Sequence, residues 1–417
     1  MSGLLPTQRR WVDVGFVDWH HFNLGLLCTV PPDLTDDRLT RAVQRVLDRN
    51  PALRTAYAQD GAGGWHVSER PVTADAVIRP AELSDYQGKS DVLNDEIMRL
   101  QRTLRPDRGE VFRVVHFPWG SGEPGRLLIT VHHLTLDGFS LGLVTGELDR
   151  ALRDEPQGPL SATPADYVGA VEKWVGTDQA ARDAGRWAAM RWDRVAGPPT
   201  DLDEDATLPT MRIDSVRLDA DPSTALTAAC RAHRLRPGDV LLDAVAQTIM
   251  SRWDLAAVAV DTYHIGRHLT PLDIDVLDTI GYVQSTFPIV LSARPHFDPA
   301  DIREVPDRMF GFDALTYFTE RLDGLPATTV RYNFRGHMGR LTRNPGTFLR
   351  WADEPVRQRR SQRQGEKYTL MLEGDIVDGR FELSIKYSTG QYRVDTISAL
   401  LAGALTRVEA TIGELGC

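Results

Sequence analysis

The segment Val131-His132-His133-Leu134-Thr135-Leu136-Asp137-Gly138 constrains this chain more than any other. Upstream, Arg126-Leu127-Leu128-Ile129-Thr130-Val131 is an apolar, β-branched run, a pattern that predicts a strand. Downstream, residues 140–152 carry apolar side chains at helical spacing and end in charge. Two adjacent histidines therefore fall where a strand leaves a sheet and a turn begins, a rigid support for a base. An imidazole there exchanges a proton near neutral pH. Asp137 suits an orienting role, fixing a side chain or the turn, and Gly138 lets the backbone bend sharply. Ser140 reads as a helix-start residue; nothing marks it as a nucleophile.

A histidine at a strand end is commonly a packed structural residue. Two histidines are also half a metal site, yet no third ligand follows at metal spacing, and no metal is expected. On this segment alone, catalytic and structural use weigh equally.

A chain of 417 residues exceeds one simple core and predicts two lobes. Its 42% hydrophobic and 25% charged fractions are ordinary for a soluble globular protein. A formal net charge of -10 argues against a general nucleic-acid binder. Cys28, Cys230 and Cys417 are far apart and form no CxxC pair, so neither a zinc knuckle nor a disulfide framework is expected. The first residues lack the apolar core of a signal peptide, and no stretch reaches transmembrane length. These features predict a soluble cytoplasmic protein with no membrane or nucleic-acid partner.

Helices are predicted over residues 35–47, with Thr35 as N-cap, and over 90–104, 178–192, 223–233, 237–253 and 394–412. Strands are predicted over 53–57 and 64–68, across a Gly-rich turn at 60–64, and over 112–117 and 126–131. Further strands are expected over 211–218, 256–262, 287–291, 328–334 and within 367–387. The Pro-rich, acidic stretch 197–208 has no periodicity and reads as a linker between a lobe of residues 1–196 and one of residues 209–417. Arginines 340, 343, 350, 357, 359, 360 and 363 read as a solvated face, with a docking patch for an acidic partner as the sharper alternative.

The central segment fits the HHxxxDG signature of the condensation-domain superfamily: nonribosomal peptide synthetase condensation and epimerization domains and chloramphenicol acetyltransferase-like acyltransferases. Other blocks follow in the family order. Leu5-Pro6-Thr7-Gln8-Arg9-Arg10-Trp11, with His20-His21-Phe22-Asn23, resembles the opening motif of the epimerization branch. Arg49-Asn50-Pro51-Ala52-Leu53-Arg54 is similar to the second motif, and Pro164-Ala165-Asp166-Tyr167 with Trp174 is a loose fourth. Asp278-Thr279-Ile280-Gly281-Tyr282-Val283, ending at Phe287-Pro288, resembles the fifth. Residues 307–312 and Val330-Arg331-Tyr332-Asn333-Phe334-Arg335-Gly336 echo later epimerization-branch segments. The resemblance implies an α/β fold of two chloramphenicol acetyltransferase-like lobes forming a V, with a tunnel between them.

It also implies roles. His133 would be the active-site base or proton relay and His132 a supporting residue. Asp137 would be structural and paired with Arg267, a bidentate contact able to pin the turn across the lobes. The epimerization branch carries a glutamate in an EGHGR-like segment, and the matching position here is Tyr263. Tyrosine ionises near ~10 and is a poor base at neutral pH. With that carboxylate missing, acyl transfer fits better than epimerization, which needs acid–base groups on two faces. The backbone N–H at Gly138 is a candidate oxyanion donor, and Tyr263, Ser285 and Asn333 are candidate substrate contacts. A buried amide bonding the backbone is an equal reading of Asn333.

The expected activity is that of a free-standing condensation-like acyltransferase. It would join an acyl or aminoacyl thioester, tethered to a carrier protein, to a small-molecule or carrier-bound amine or hydroxyl. An acyl or peptidyl carrier protein would act in trans and deliver the phosphopantetheine arm; no bound cofactor is expected. Epimerization of a carrier-bound aminoacyl group and a non-catalytic recruitment module are the alternatives.

Overall fold

The structure, a computed structural model, describes residues 3–60, 64–81, 90–118, 122–159, 162–267, 272–303, 305, 311–337, 346–354, 356 and 360–416. The chain begins with α1 (Pro6–Asp13), β1 (Asn23–Val30) and α2 (Asp36–Arg49). The hairpin β2 (Thr55–Gln59) and β3 (Trp65–Glu69), α3 (Ala74–Val77), β4 (Ile78–Pro80) and α4 (Ser90–Gln101) follow. Then come β5 (Phe112–Phe117), β6 (Gly125–His132), α5 (Gly138–Leu152), α6 (Pro164–Val175) and α7 (Asp178–Ala188). Next are β7 (Met211–Arg217), α8 (Ala220–Ala232), α9 (Pro237–Trp253), β8 (Ala257–His264), β9 (Ser285–Ser292), α10 (Ala300–Arg303) and α11 (Gly311–Phe318). The chain closes with β10 (Val330–His337), β11 (Arg350–Trp351), β12 (Leu370–Val377), β13 (Arg380–Ser388) and α12 (Val394–Glu414).

Two compact units result. The first comprises Met1–Trp174, Ile265–Gln284 and Thr342–Gln362; the second comprises Val175–His264, Ser285–Leu341 and Arg363–Cys417. This differs from the contiguous division expected above. The stretch 197–207 stays within the second unit, where the backbone N–H groups of Asp201 and Leu202 donate to the Gln391 carbonyl at 2.8 and 3.1 Å. A Pro-rich composition removes periodicity, but it does not by itself make a free tether.

In the first unit, a five-stranded sheet runs in the order β11-β1-β6-β5-β4. β6 sits between β1 and β5, antiparallel to both. One face packs against α2 and α5 through Val43, Val46, Leu47, Val144 and Leu148 beneath Leu127, Ile129 and Val131. The other face meets α4, with Leu128 and Val115 against Leu93, Ile97 and Leu100. A strand covered on both faces has no polar alternation, which is why residues 126–131 form a continuous apolar run. In α2, Thr35 Oγ1 accepts from Arg38 N at 3.3 Å, and Asp36 and Asp37 occupy the first turn.

In the described part of the arginine-bearing segment the Arg350 and Arg363 side chains are exposed, as a solvated face requires, while the backbone beneath is held. Arg350 and Trp351 pair with β1, Leu349 is fully buried, and the N–H groups of Phe348 and Leu349 donate to Asp149 Oδ1 at 3.0 and 2.7 Å. Arginines 340, 343, 357 and 359 lie outside the described residues.

The second unit holds a six-stranded sheet in the order β7-β13-β12-β10-β8-β9. β10 runs parallel to its neighbours β8 and β12, and the remaining pairs are antiparallel. α9 buries Val240, Leu241, Ala244, Val245 and Ile249. α7 and α11 meet through Trp187 and Phe312, whose rings stand edge to face at 5.0 Å.

Because Leu349 is core rather than loop, Leu349→Ala should destabilise the chain by about 2–5 kcal/mol. Urea unfolding monitored by tryptophan fluorescence measures this, and a change below about 0.5 kcal/mol would place the residue outside the core.

Candidate active site

β6 ends at His132, whose cross-strand partner is Asn23, and the chain then turns through His133, Leu134 and Thr135. Leu134 and Leu136 are fully buried and anchor the turn. Gln8 of α1 holds it from the side, its amide donating to the Leu134 carbonyl at 2.7 Å. Successive residues at a strand end diverge, and the two histidines meet different surroundings.

His132 is fully buried. Its Nε2 lies 2.6 Å from the Trp19 carbonyl, and its Nδ1 accepts from Leu134 N at 3.2 Å. The two bonds assign a neutral ring protonated at Nε2. Desolvation by burial drives the imidazole pKa down to about 3 despite the Trp19 carbonyl, which favours charge. Trp11 and Trp19 stand edge-on to the ring at 5.9 and 6.1 Å. His132 is thus a structural donor inside an aromatic cluster.

His133 is half-buried. Its backbone N–H donates to the Phe22 carbonyl at 2.8 Å, and its Nδ1 lies 3.1 Å from the Leu136 carbonyl. A carbonyl only accepts, so Nδ1 carries the proton and the lone pair resides on Nε2. Phe22 stacks on the ring at 5.0 Å and 6°, and Tyr282 approaches it at 4.9 Å and 33°. The imidazole is held by one stacked ring and one tilted ring.

Asp137 is 1% exposed and caps α5, accepting from Ser140 N at 2.8 Å. Its Oδ2 also accepts from Val283 N, Gln284 N and Arg267 Nη1, at 3.0, 2.9 and 3.1 Å. Arg267 in turn donates to Ser140 Oγ at 2.8 Å, Thr279 O at 3.1 Å and Ile265 O at 2.9 Å. Ser140 Oγ donates to Gly281 O at 2.7 Å. Gly266 precedes the arginine at φ +74, and a Cβ there would lie 2.1 Å from the Val283 carbonyl oxygen. Only glycine fits that approach. Both members of the Asp137–Arg267 pair belong to the first unit, so the pair pins the turn to residues 265–284 of its own unit. The expectation of a pin across two lobes is corrected accordingly: residues 265–284 follow β8 in sequence but pack with the histidine turn.

Gly138 opens α5 and is exposed. As the first residue of a 15-residue helix, it presents an N–H with no intrahelical partner. Tyr263, Ser285 and Asn333 belong to the second unit. The Tyr263 hydroxyl accepts from Arg331 Nη1 at 3.3 Å. Ser285 is buried, and its Oγ has no partner among the described residues. Asn333 is half-buried on β10, opposite Glu373 of β12, rather than a fully buried amide.

The condensation-domain family model matches residues 2–415. This chain belongs to the condensation-domain family. A linear gramicidin synthase from Brevibacillus parabrevis is 26% identical over 422 residues, covering 95% of this chain but 5% of that protein. Chondramide synthase of Chondromyces crocatus is 24% identical over 419 residues, covering 95% of this chain and 11% of the relative. The chain therefore spans a small part of the curated relatives it matches. Among solved structures, the epimerization domain from the third module of tyrocidine synthetase B superposes with a TM-score of 0.83 at 20% identity, covering 99% of this chain and 97% of that one. The X-domain from teicoplanin biosynthesis gives 0.75 at 18% identity, covering 99% and 95%. These likenesses establish the fold of a condensation domain, which is chloramphenicol acetyltransferase-like.

Sequence reasoning does not single out the aromatic residues that frame the two histidines of this condensation domain. Trp11, Phe22 and Tyr282 each lie inside a family-like block, and that is the available signal. Trp19 lies just before one.

Removing the Asp137 carboxylate leaves Arg267 buried without a counter-charge. Asp137→Ala should cost about 3–5 kcal/mol in chemical denaturation, and more than Asp137→Asn, which keeps a cap acceptor. Equal, small losses in both variants would count against the buried pair. For His132, the folded pKa lies below the unfolded one, so the contribution is complete above about pH 6.5 and is lost as pH falls toward about 3. Across that window one proton corresponds to about 1.4 kcal/mol per pH unit. His132→Asn should flatten the stability-versus-pH curve between pH 4 and 6.5 by about one proton; an unchanged slope would show that His132 does not titrate this way.

Proposed function

We propose that this condensation domain acts in trans on a carrier protein and joins its tethered acyl or aminoacyl thioester to an amine or hydroxyl. Condensation domains are in general acyltransferases that work with carrier-bound substrates in nonribosomal peptide synthesis. The observation that carries the proposal is the His133 ring. Its Nδ1 is bonded to the Leu136 carbonyl and the ring is packed against Phe22 and Tyr282, which makes Nε2 the basic atom of the neutral imidazole.

A thioester is already activated, so orientation supplies much of the rate. The acceptor nitrogen or oxygen attacks the thioester carbon while Nε2 of His133 takes its proton. The oxyanion that forms is met by the N–H of Gly138 at the start of α5. The C–S bond then breaks, and the phosphopantetheine sulfur leaves with the proton returned by Nε2. His132 keeps the strand end neutral and dry, and Asp137 with Arg267 holds the turn. Tyr263, Ser285 and Asn333 are assigned to substrate contact. Support comes from the unpartnered buried Ser285 hydroxyl and from the position of Tyr263 at a cavity lining.

A carrier loaded with an α-deuterated aminoacyl group tests this reading. Product should form only when a nucleophile is added, with the label retained, and His133→Ala should lose about 10²–10⁴-fold in rate. Label wash-out without an acceptor would replace acyl transfer by epimerization, with Tyr263 in place of the missing glutamate. Carrier binding with neither reaction would indicate a recruitment module.

A further inference from the structure

The second unit contains a cavity of about 180 Å³, lined by the C-terminal ends of β8 and β10, the first turns of α9 and part of β9. Its walls include Leu242, Phe287, Ile289, Ile302, Val305 and Phe334. Two lining hydroxyls are already committed to backbone: Thr262 donates to Phe287 O at 3.2 Å, and Tyr332 donates to Gly238 O at 2.9 Å. The Phe334 wall is fixed by close approach. A Cβ at Gly238 would lie 2.7 Å from Phe334 Cγ, and one at Gly374 would lie 2.8 Å from its Cδ2. A preformed apolar wall spares a ligand the cost of ordering it.

Asp239 offers a carboxylate acceptor in the lining. Asp239 Oδ2 takes a hydrogen bond from Arg236 Nε at 3.0 Å, while Oδ1 has no donor among the described residues. The Asp239 side chain is 21% exposed, and burial raises its carboxyl above the usual range despite the arginine. Arg236, Tyr263 and His264 complete the polar part of the lining, and the apolar wall beside the Asp239 carboxylate favours a ligand with an apolar body and one hydrogen-bond donor. Size sets the rest: an apolar cavity of roughly 150 Å³ holds benzene.

We propose that this cavity is a side-chain pocket for an aromatic or branched aliphatic group of about benzene size whose polar end donates a hydrogen bond to Asp239. The side-chain assignment rests on the reading of the substrate as a carrier-tethered acyl group; the pocket itself does not. It would make the second unit the part of the chain that selects the acyl group by size.

Ligand-observed NMR on the full chain, with p-cresol and toluene as probes, tests the pocket without any turnover. Both probes should bind, with p-cresol about ten-fold tighter through its hydroxyl. Leu242→Trp fills the cavity and should abolish both signals. Ile289→Phe, a smaller intrusion, should weaken both at least several-fold and keeps the test decisive if Leu242→Trp fails to fold. Asp239→Ala should erase the p-cresol preference. Failure of either probe to bind, or binding unaffected in a folded Ile289→Phe chain, overturns the pocket; equal affinity for the two probes overturns the role of Asp239. In a transfer assay, Ile289→Phe should lower the ratio of kcat/KM for phenylalanyl over alanyl carrier about ten-fold. An unchanged ratio overturns the side-chain assignment. Probe binding in a chain that turns over no carrier substrate would sustain the pocket and remove the acyl-transfer reading.

Discussion

The geometry of the histidine turn depends on one buried carboxylate. Asp137 caps α5, receives backbone N–H groups from Val283 and Gln284, and faces the guanidinium of Arg267. Both side chains are almost wholly shielded from water, where a charge is tolerated only when paired and hydrogen-bonded. The pair therefore does more than hold two residues together. The segment it secures carries Tyr282, and Tyr282 lies against the His133 ring. The orientation of the imidazole is thus tied to the buried ion pair through Tyr282.

Adjacent histidines with the same intrinsic chemistry end in opposite states. His132 completes the strand, loses its water and is locked neutral by Trp19 O and Leu134 N. His133, one residue on, has left the ladder and keeps one ring face against Phe22. The difference is one of backbone direction, since successive residues leave a strand on opposite sides. It also accounts for why a pair of histidines here is not half a metal site: the first has both nitrogens engaged by the backbone.

Much of this is readable from residue pattern, and the failures have physical causes. α2 displays its buried stripe openly, α9 is apolar enough to be buried on most sides, and the strand–turn–helix at His132 to Leu152 follows the apolar run and its capping aspartate. β1 escapes the pattern, because NLGLLCTV is apolar at adjacent positions and carries a glycine. α1 is short, and its buried Gln8 looks like a surface residue until the Leu134 carbonyl is seen to need it. Residues 346–351 look solvated because of the arginines around them, yet Asp149 and β1 hold their backbone. Within the site, the Asp137–Arg267 pairing is legible through family resemblance. The aromatic frame is not, because Tyr282 is far along the chain from Trp11 and Phe22 and meets the histidine turn only in three dimensions.

The first unit is assembled from three separate stretches of chain, and this has a consequence for biosynthesis. As the polypeptide emerges from the ribosome, the aspartate at 137 precedes its guanidinium by 130 positions. The edge of the sheet at β1 waits longer still for Arg350. Non-local pairings of this kind slow folding, and until they form the stretch holding β1 and Asp137 exposes an unpaired strand edge and an uncompensated acid. Synthesis must therefore reach Arg267, and for the sheet edge Arg350, before the turn bearing His133 can settle, so stalling between residues 137 and 267 is costlier here than in a unit built from one continuous stretch.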